Sequence, residues 1–394
     1  MDPATRAEEI EVSFVMPCLD EAETLEACVR AALGCIAEHG LAGEVVVADN
    51  GSRDGSPGIA RRCGARVVEV RERGYGSALM GGIEAARGRF IVMGDADLSY
   101  DFAEAAPMIE RLREGADLVM GSRFRGRILP GAMPWLHRRV GNPLLTAVGR
   151  LLFRSPVSDF HCGLRAFTRQ AYRAMNLRTT GMEFASEMVV KATAQGMRVA
   201  EVPITLRPDG RSRPPHLRSF RDGWRHLRFM LCLSPLWTLF LPGLALAAVG
   251  GGLETLLFFG PLRIGSLVFD VHTMIAGSLL VLVGYQAMTT ALAARIYAVE
   301  EEIGPPAPWL ERAFLHFSLE RGLLAGAALT LVGVGFAAWT LGAWAREGFG
   351  PLELQHTLRP MLVGATAIAL GAQTLLMSFV YSMLGIKRSR RAAP

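Results

Sequence analysis

The sequence is short of several features that would assign its class at once. Its six cysteines, Cys18, Cys28, Cys35, Cys63, Cys162 and Cys232, are scattered and never stand in C-x-x-C spacing. That argues against a zinc site and makes reduced, cytosolic thiols the default. The polar N-terminal stretch 1–10 has no apolar h-region, so no secretory signal is read and the first half is expected to stay in the cytosol. No basic block interleaved with aromatics occurs in that half, which speaks against a nucleic-acid binder. The net charge of +5 is modest and almost wholly arginine-borne, leaving phosphates or lipid headgroups as the anionic partners it fits. A dinucleotide fingerprint is also missing. Arg73-Gly74-Tyr75-Gly76 starts like one, but Leu79 takes the place of its third glycine. It reads instead as a tight entry to a helix, with Arg73 near any phosphate.

What is present is apolar mass and acid residues at regular places. At 394 residues and 51% hydrophobic, the chain holds more than one domain and is too apolar to be wholly water-soluble. Strands are expected at Glu11–Met16, Glu44–Ala48, Ala65–Val70, Phe90–Met93, Asp117–Met120 and Val199–Leu206. Helices fall between them: one capped by Asp20 and running to about Glu38 with Glu21 and Glu23 in its first turn, then Pro57–Cys63, Gly76–Arg87, about Ala103–Arg113, Met133–Phe153 and Glu183–Ala194. This alternation predicts a mainly parallel sheet with helices on both faces. The carboxyl edge of such a sheet binds ligands, and it carries Asp20, Asp49 and the pair Asp95-Ala96-Asp97. Two carboxylates one residue apart repel each other unless a cation joins them. Mg²⁺ or Mn²⁺, which prefers oxygen and completes its shell with substrate phosphates, is the natural partner.

Other segments fit the same chemistry. Asp49 has two readings: it accepts hydrogen bonds from a nucleotide base, or it closes an Asp-Asn-Gly turn. Gly121-Ser122-Arg123-Phe124-Arg125-Gly126-Arg127 is read as an arginine-rich loop suited to a diphosphate. Arg138 and Arg139 lie on the long helix, and Asp159, His161 and Arg165 are close in sequence. Glu183 and Glu187 stand one helical turn apart and face the same way.

Taken in order, Pro17…Glu21, Asp49…Asp54-Gly55, Asp95-x-Asp97, Gly121-Ser122-Arg123, Asp159…Gly163-Leu164-Arg165 and Gly210-Arg211-Ser212 resemble the glycosyltransferase family 2 enzymes with a GT-A fold. Within that family the chain is most similar to the polyprenyl-phosphate hexose synthases, of which dolichol-phosphate mannose synthase is the best-known type. The resemblance covers about Val12–Arg228. It implies a catalytic group of Asp97, Asp159 and Glu187, with Asp159 favoured to position the acceptor. It also implies a nucleotide-sugar site of Pro17, Asp20, Glu21, Asp49, Gly76, Asp95 and Arg123, phosphate contacts from Arg138, Arg165 and Arg211, and a metal on Asp95 and Asp97. Asn50 stands where the family has a second aspartate and Ser99 where mannose synthases have glutamine, so neither base nor sugar is assigned.

The second half reads as membrane. In 214–231, Leu217, Phe220, Trp224, Leu227 and Leu231 form an apolar stripe bordered by Arg218, Arg221, Arg225 and Arg228, the pattern of a helix lying in an anionic headgroup layer. Four apolar runs follow in 232–386, near Leu236–Phe259, Val271–Ala293, Leu323–Ala345 and Met361–Leu384, each long enough to cross a bilayer. Arg295, Arg312 and Arg321 and the basic tail 387–394 put both ends on the cytosolic side of a cell inner membrane. Glu254, Gln286 and Gln373 are expected to bond neighbouring helices. Glu300-Glu301-Glu302 with Pro305-Pro306 reads as a linker. A cytosolic α/β domain (11–213) on a membrane bundle suits transfer of a hexose from UDP- or GDP-sugar to polyprenyl phosphate, for cell-envelope or protein glycosylation, in a monomer or homo-oligomer. The rival readings are a processive polysaccharide synthase, whose Gln-x-x-Arg-Trp stretch is absent, and a non-catalytic nucleotide-binding sensor or flippase.

Overall fold

The computed structural model describes residues 10–213, 219–300, 318–351 and 354–385. Expectations placed on 1–9, Leu217, Arg218, Glu301, Glu302, Pro305, Pro306, Arg312 and the tail 387–394 lie outside these residues. The chain divides into two units, Met1–Met230 and Leu231–Pro394.

In the first unit, β1 (Val12–Cys18), α1 (Leu25–Glu38), β2 (Gly43–Asp49), α2 (Ser56–Arg62), β3 (Arg66–Glu69), α3 (Tyr75–Ala85) and β4 (Phe90–Met93) alternate as expected. They are followed by α4 (Ala106–Arg113), β5 (Leu118–Ile128), α5 (Asn142–Phe153), β6 (Arg165–Thr168), α6 (Arg169–Met175), α7 (Phe184–Ala194), β7 (Val199–Leu206) and α8 (Ser219–Cys232). The sheet order is β3-β2-β1-β4-β6-β5-β7. Every pairing is parallel except those of β6, which runs antiparallel to β4 and β5. The chain winds outward from β1 to β3 and then returns to β4 on β1's other side. The carboxyl ends of β1 and β4 therefore open a crevice at the point of reversal, where such sheets bind ligands.

Both sheet faces are covered, which is why β1, β2 and β4 read as near-continuous apolar runs. Phe14 and Met16 join Leu25, Cys28 and Val29 of α1 in one core, and Phe14 meets Phe102 edge-on with ring centroids 6.0 Å apart. On the other face Gly82 of α3 lies so close to the sheet that a Cβ there would meet Val15 at 2.7 Å.

Four local expectations are corrected. Asp20 does not cap α1: the N-cap position is Thr24, and Asp20 sits in a turn with φ +58°. The stretch from Gly121 to Arg127 is strand rather than loop, because β7 offers β5 a ladder that continues past a register shift between Ser122 and Arg127. β6 and α6 were not foreseen, being four and seven residues long inside a stretch with no clear period. The long helix before Phe153 begins with a wide turn at His137–Gly141, in which the Asn142 N–H reaches back five residues to His137 O. Pro143 explains it, since its ring would clash with the carbonyl four residues back. The same device precedes Pro242, where Leu241 N–H bonds Leu236 O.

The second unit contains α9 (Leu241–Phe258), a hairpin of β8 (Leu262–Ile264) and β9 (Leu267–Phe269), and α10 (Val271–Glu300). It ends with α11 (Leu319–Arg346) and α12 (Leu354–Leu384). Among the described residues, four stretches are long and apolar enough to cross a membrane: Leu236–Phe258, Val271–Glu300, Leu319–Arg346 and Thr357–Leu384. In lipid, helices associate through small residues and interhelical hydrogen bonds. Gly243 and Gly250 of α9 face Gly284 and Gly277 of α10, and Gly326 and Gly333 of α11 face Gly371 and Gly364 of α12. Glu254 on α9 accepts from Ser278 of α10 and, at 2.8 Å, from Thr366 of α12, pinning three helices. Tyr285 and Thr374 bond at 2.6 Å, and Tyr381 donates to Thr289 O at 2.9 Å. The interhelical role expected of Glu254 is thus present. Gln286 instead donates within its own helix to Thr290, and Gln373 Oε1 is buried with no partner among the described residues.

Gly250→Val tests the α9–α10 seam, because a Cβ there would meet Val281 N at 2.7 Å. It should cost roughly 1–3 kcal/mol of bundle stability by overpacking. A thermal unfolding series in detergent should show the loss, whereas Gly251→Val, which points into open space, should be nearly silent.

Candidate active site

The loops leaving β1 and β2 are tied to each other by their own polar groups. Asp20 accepts from Arg53 N–H at 2.7 Å, and Ser52 Oγ accepts from Asp20 N–H at 2.9 Å. Ser56 Oγ and Asp54 receive the N–H groups of Glu21 and Ala22 at 2.9 and 2.8 Å. Asp49, nearly buried, accepts from Gly51 and Ser52 N–H at 3.1 and 3.3 Å, so the turn-closing role is the one its carboxylate plays here. Asn50 has a purpose an aspartate would lack. Its Nδ2 donates to Val70 O and Glu72 O at 3.0 and 2.7 Å while its Oδ1 accepts from Gly74 N–H at 2.9 Å. A carboxylate would leave both carbonyls unpaired.

Acid groups converge at the crevice. Asp95 Oδ1 accepts from the Tyr75 hydroxyl at 2.9 Å, and a Cβ on Gly163 would lie 2.7 Å from Asp95 Oδ2. Asp97 Oδ1 accepts from Ser99 N–H at 2.9 Å. Arg211 lies among them: Nε and Nη2 each donate to Glu21 at 2.8 Å, and Nη1 is 3.2 Å from Asp97 Oδ2. Its loop is strapped across the site by Gly210 N–H to Asp97 O at 2.9 Å, Arg207 N–H to Ser99 O at 3.0 Å, and Arg213 to Asp20 O at 2.6 Å. Burial first, and then the Asp97 carboxylate, push the Asp95 pKa up to about 6, against the Tyr75 hydrogen bond and Arg211. Such a pair is short of positive charge, and its donor set consists of oxygen alone. No cluster of three or more His, Cys, Asp or Glu side chains suited to a metal occurs among the described residues. Two carboxylates with the rest of the shell taken from phosphate oxygens match a Mg²⁺- or Mn²⁺-type site.

Of the expected site residues, Pro17, Asp20, Glu21, Asp49, Asp95, Asp97 and Arg211 stand on or just past the carboxyl ends of β1, β2 and β4, or on the strap around this crevice. Gly76 opens α3 beside Tyr75, where a Cβ would meet Gly181 O at 3.0 Å. Others are corrected. Asp159 is wholly buried and grips Arg123, whose Nε and Nη2 donate to its two oxygens at 2.7 Å each. Neither group is left facing a substrate, so the catalytic role for Asp159 and the donor role for Arg123 give way to a structural pair. Arg165, also wholly buried, donates to the carbonyls of Cys162, Phe160 and Ala185 and braces the loop that carries Gly163, rather than meeting an acceptor phosphate. Glu187 is wholly buried against Lys191 at 2.8 Å and accepts from Arg178 N–H and from the Thr179 N–H and hydroxyl, so it organises the 178–181 loop and is not a catalytic acid. Arg138 is exposed within the wide turn. Glu183 keeps a buried Oε2 with no partner among the described residues.

Tyr75 was missed, although the glycines on either side of it were a signal: both lie against the 179–181 backbone, where no side chain fits. Also missed was a histidine pair. Ser186 Oγ bonds His226 Nδ1 of α8 at 2.7 Å, and the His161 ring stands edge-on to His226 at 4.7 Å. Burial holds both histidines neutral, His226 down at about 4 and His161 well below its usual value. α8 itself buries Asp222, His226 and Met230 and turns Trp224 outward, 57% exposed.

Two outcomes follow for variants. Asp159→Asn should lose about 3–5 kcal/mol of stability by stranding Arg123, so thermal unfolding as well as activity should register it. Histidines whose folded pKa is depressed make the unfolded state the stronger proton binder below pH 6.5. Stability should therefore fall as pH drops from 6.5 toward 4, and His226→Gln should flatten that slope in a pH series of unfolding midpoints.

Comparison with known proteins places the chain in a family. The family descriptions "Glycosyl transferase family 2" and "Glycosyltransferase family 2 C-terminal transmembrane region" match residues 13–175 and 292–385. The low-salt glycan biosynthesis hexosyltransferase Agl6 of Haloferax volcanii is 38% identical over 377 residues, spanning 95% of this chain and 89% of that one. A dolichyl-phosphate hexose transferase of the same organism is 34% identical over 167 residues, 42% of this chain and 70% of that one. The structure of glucosyl-3-phosphoglycerate synthase from Mycobacterium tuberculosis with Mn²⁺, uridine diphosphate and glucosyl-3-phosphoglycerate aligns with a TM-score of 0.45 at 22% identity, over 58% of this chain and 79% of that one. With a near full-length relative and matches on both of its units, the chain is an integral membrane member of glycosyltransferase family 2, its GT-A domain followed by the family's C-terminal transmembrane region.

Proposed function

We propose that the protein is an inverting hexosyltransferase that moves a hexose from a nucleotide sugar to polyprenyl phosphate, using Mg²⁺ or Mn²⁺ on Asp95 and Asp97. The observation that carries the reading is the acid crevice at the sheet reversal, where Arg211 pairs with Asp97 and Glu21 and Arg213 with Glu21. Four membrane-spanning helices in the same chain support a lipid acceptor, and a relative named for dolichyl-phosphate hexose transfer supports its class.

When bound, the cation neutralises charge on the departing nucleoside diphosphate. The chain's own residues do the rest. Tyr75 holds Asp95 Oδ1 and leaves Oδ2 for the donor side, while Ser99 N–H holds Asp97 Oδ1 and Arg211 sits 3.2 Å from Asp97 Oδ2. The Asp20–Ser52 and Asn50–Gly74 ties stiffen the loops against which a nucleotide would lie. Arg211 is the guanidinium nearest the acids and suits an incoming phosphate, with exposed Arg73 and Arg138 as further contacts. An acceptor phosphate is already anionic near pH 7, so no strong general base is required; Glu183 is the carboxylate left to orient the acceptor. The arginine bias of the loops supports a catalytic unit on the cytosolic face, and α8, with Trp224, Arg221 and Arg228 exposed, supports contact with headgroups.

Asp97→Asn should lower glycolipid formation roughly a thousandfold or more, the scale of losing a transition-state charge contact. The measurement is transfer of labelled sugar from UDP- or GDP-hexose to a short polyprenyl phosphate in membranes. Chelation of divalent ions should do the same to the unaltered protein, with recovery on adding Mn²⁺; undiminished glycolipid in either arm would remove the metal role.

A further inference from the structure

Tyr75 is the first residue of α3, and the backbone on both sides of it is fixed. Gly74 lies at φ +143°, a conformation side chains other than glycine rarely adopt, and its N–H is held by Asn50 Oδ1 at 2.9 Å. A Cβ on Gly74 would run into Thr180 O and one on Gly76 into Thr179 O, so the 179–181 segment presses on the chain before and after the phenol. That segment is itself anchored on buried Glu187, which accepts from the N–H and the hydroxyl of Thr179 at 2.9 and 2.7 Å. The tyrosine therefore stands on a rigid mount. From there its hydroxyl donates to Asp95 Oδ1 at 2.9 Å, across 20 residues of sequence.

This bond decides how Asp95 can hold a cation. An aspartate free to rotate offers a cation either one oxygen or both. Here the hydrogen bond fixes the rotation of the carboxylate and draws the charge of Oδ1 toward the phenol, while Oδ2 lies beside Gly163, which has no side chain to cover it. Asp97 is limited in a similar way: Oδ1 accepts from Ser99 N–H at 2.9 Å, and Oδ2 is left 3.2 Å from the Arg211 guanidinium. Together the two acids present single oxygens in a stiff frame. Ca²⁺ takes about six to eight oxygens in a yielding shell and often uses both oxygens of a carboxylate, whereas Mg²⁺ and Mn²⁺ take about six in an octahedron, with one or two carboxylates beside phosphate oxygens.

We infer that Tyr75 is a positioning residue that makes Asp95 a one-oxygen ligand and thereby selects small, six-coordinate cations over Ca²⁺. The inference rests on the reading of Asp95 and Asp97 as the cation site and adds to it the reason for a tyrosine clamped between two glycines. Glu187 gains a part in this through Thr179: it stiffens the segment against which Tyr75 is mounted.

The test is equilibrium dialysis of the full chain in detergent against Mn²⁺ with UDP, and again with GDP, as Ca²⁺ is added in steps. Mn²⁺ retained on the protein side is read without any turnover. Tyr75→Phe removes the hydroxyl alone. It should bind Mn²⁺ about ten- to a hundredfold more weakly, the usual cost of losing the partner behind a metal ligand. Ca²⁺ should bind as well as before or better, so it should displace Mn²⁺ at a correspondingly lower concentration. Gly163→Ala, whose Cβ would stand 2.7 Å from Asp95 Oδ2, should instead weaken both cations together. Full retention in that variant would show that Oδ2 is not the ligand and would overturn the inference. An unchanged preference between Ca²⁺ and Mn²⁺ in Tyr75→Phe would overturn it while leaving the metal reading in place, and so would equal weakening for both, since Tyr75 would then only support the fold. No Mn²⁺ retained by the unaltered protein with either nucleotide would remove the metal reading and this inference with it.

Discussion

Crowding of negative charge at one sheet reversal is the constraint on which the structure depends. Asp95, Asp97 and Glu21 are brought together by strands β1 and β4 pairing side by side, and the repulsion is met from within by Arg211 and, at Glu21, by Arg213. Those two guanidinium groups explain why the loop after β7 is strapped over the crevice by backbone bonds to Asp97 and Ser99 rather than left in solvent. Asp95 holds its proton more tightly than an ordinary aspartate, first because it is buried and then because the Asp97 carboxylate stands beside it. A site built this way is poised for a stronger cation and for the phosphates that accompany one.

The supporting shell uses polar groups that an alternation of strands and helices does not reveal. The buried pair Arg123–Asp159 and the guanidinium of Arg165 fix the loop whose Gly163 lies against Asp95. Glu187 and Lys191 hold the 178–181 segment, which in turn leaves room only for glycine on either side of Tyr75. Charges taken out of water in this way are stable only with complete sets of partners, and each of these groups has several. In the membrane unit the same rule operates at Glu254, where hydroxyls from two other helices meet the carboxylate.

The sequence and the structure part company at recognisable places. Motif residues such as Asp95, Asp97, Glu21 and Arg211 were legible because they stand at strand ends or in glycine-marked turns, positions that the hydrophobic period locates. Asp159, Arg123, Arg165 and Glu187 look identical on paper, yet they point inward, because a charged side chain carries no sign in the sequence of whether its partner is a substrate or another side chain. Asn50, read as a departure from the family pattern, is a requirement of three backbone groups brought near it by β3 and α3. β6 was hidden because a four-residue strand antiparallel to its neighbours has too short a period to register.

The chain order of apolar runs was enough by itself to determine an α/β domain ahead of four membrane helices, since burial of strands on two faces and the thickness of a bilayer each impose a length and a period. Which charges face a substrate, which lock onto one another, and that α5 turns its leucines outward were decided only in three dimensions. Those outcomes depend on contacts between residues far apart in sequence, such as Arg211 with Glu21 and Phe160 with Gly149, and no local pattern encodes them.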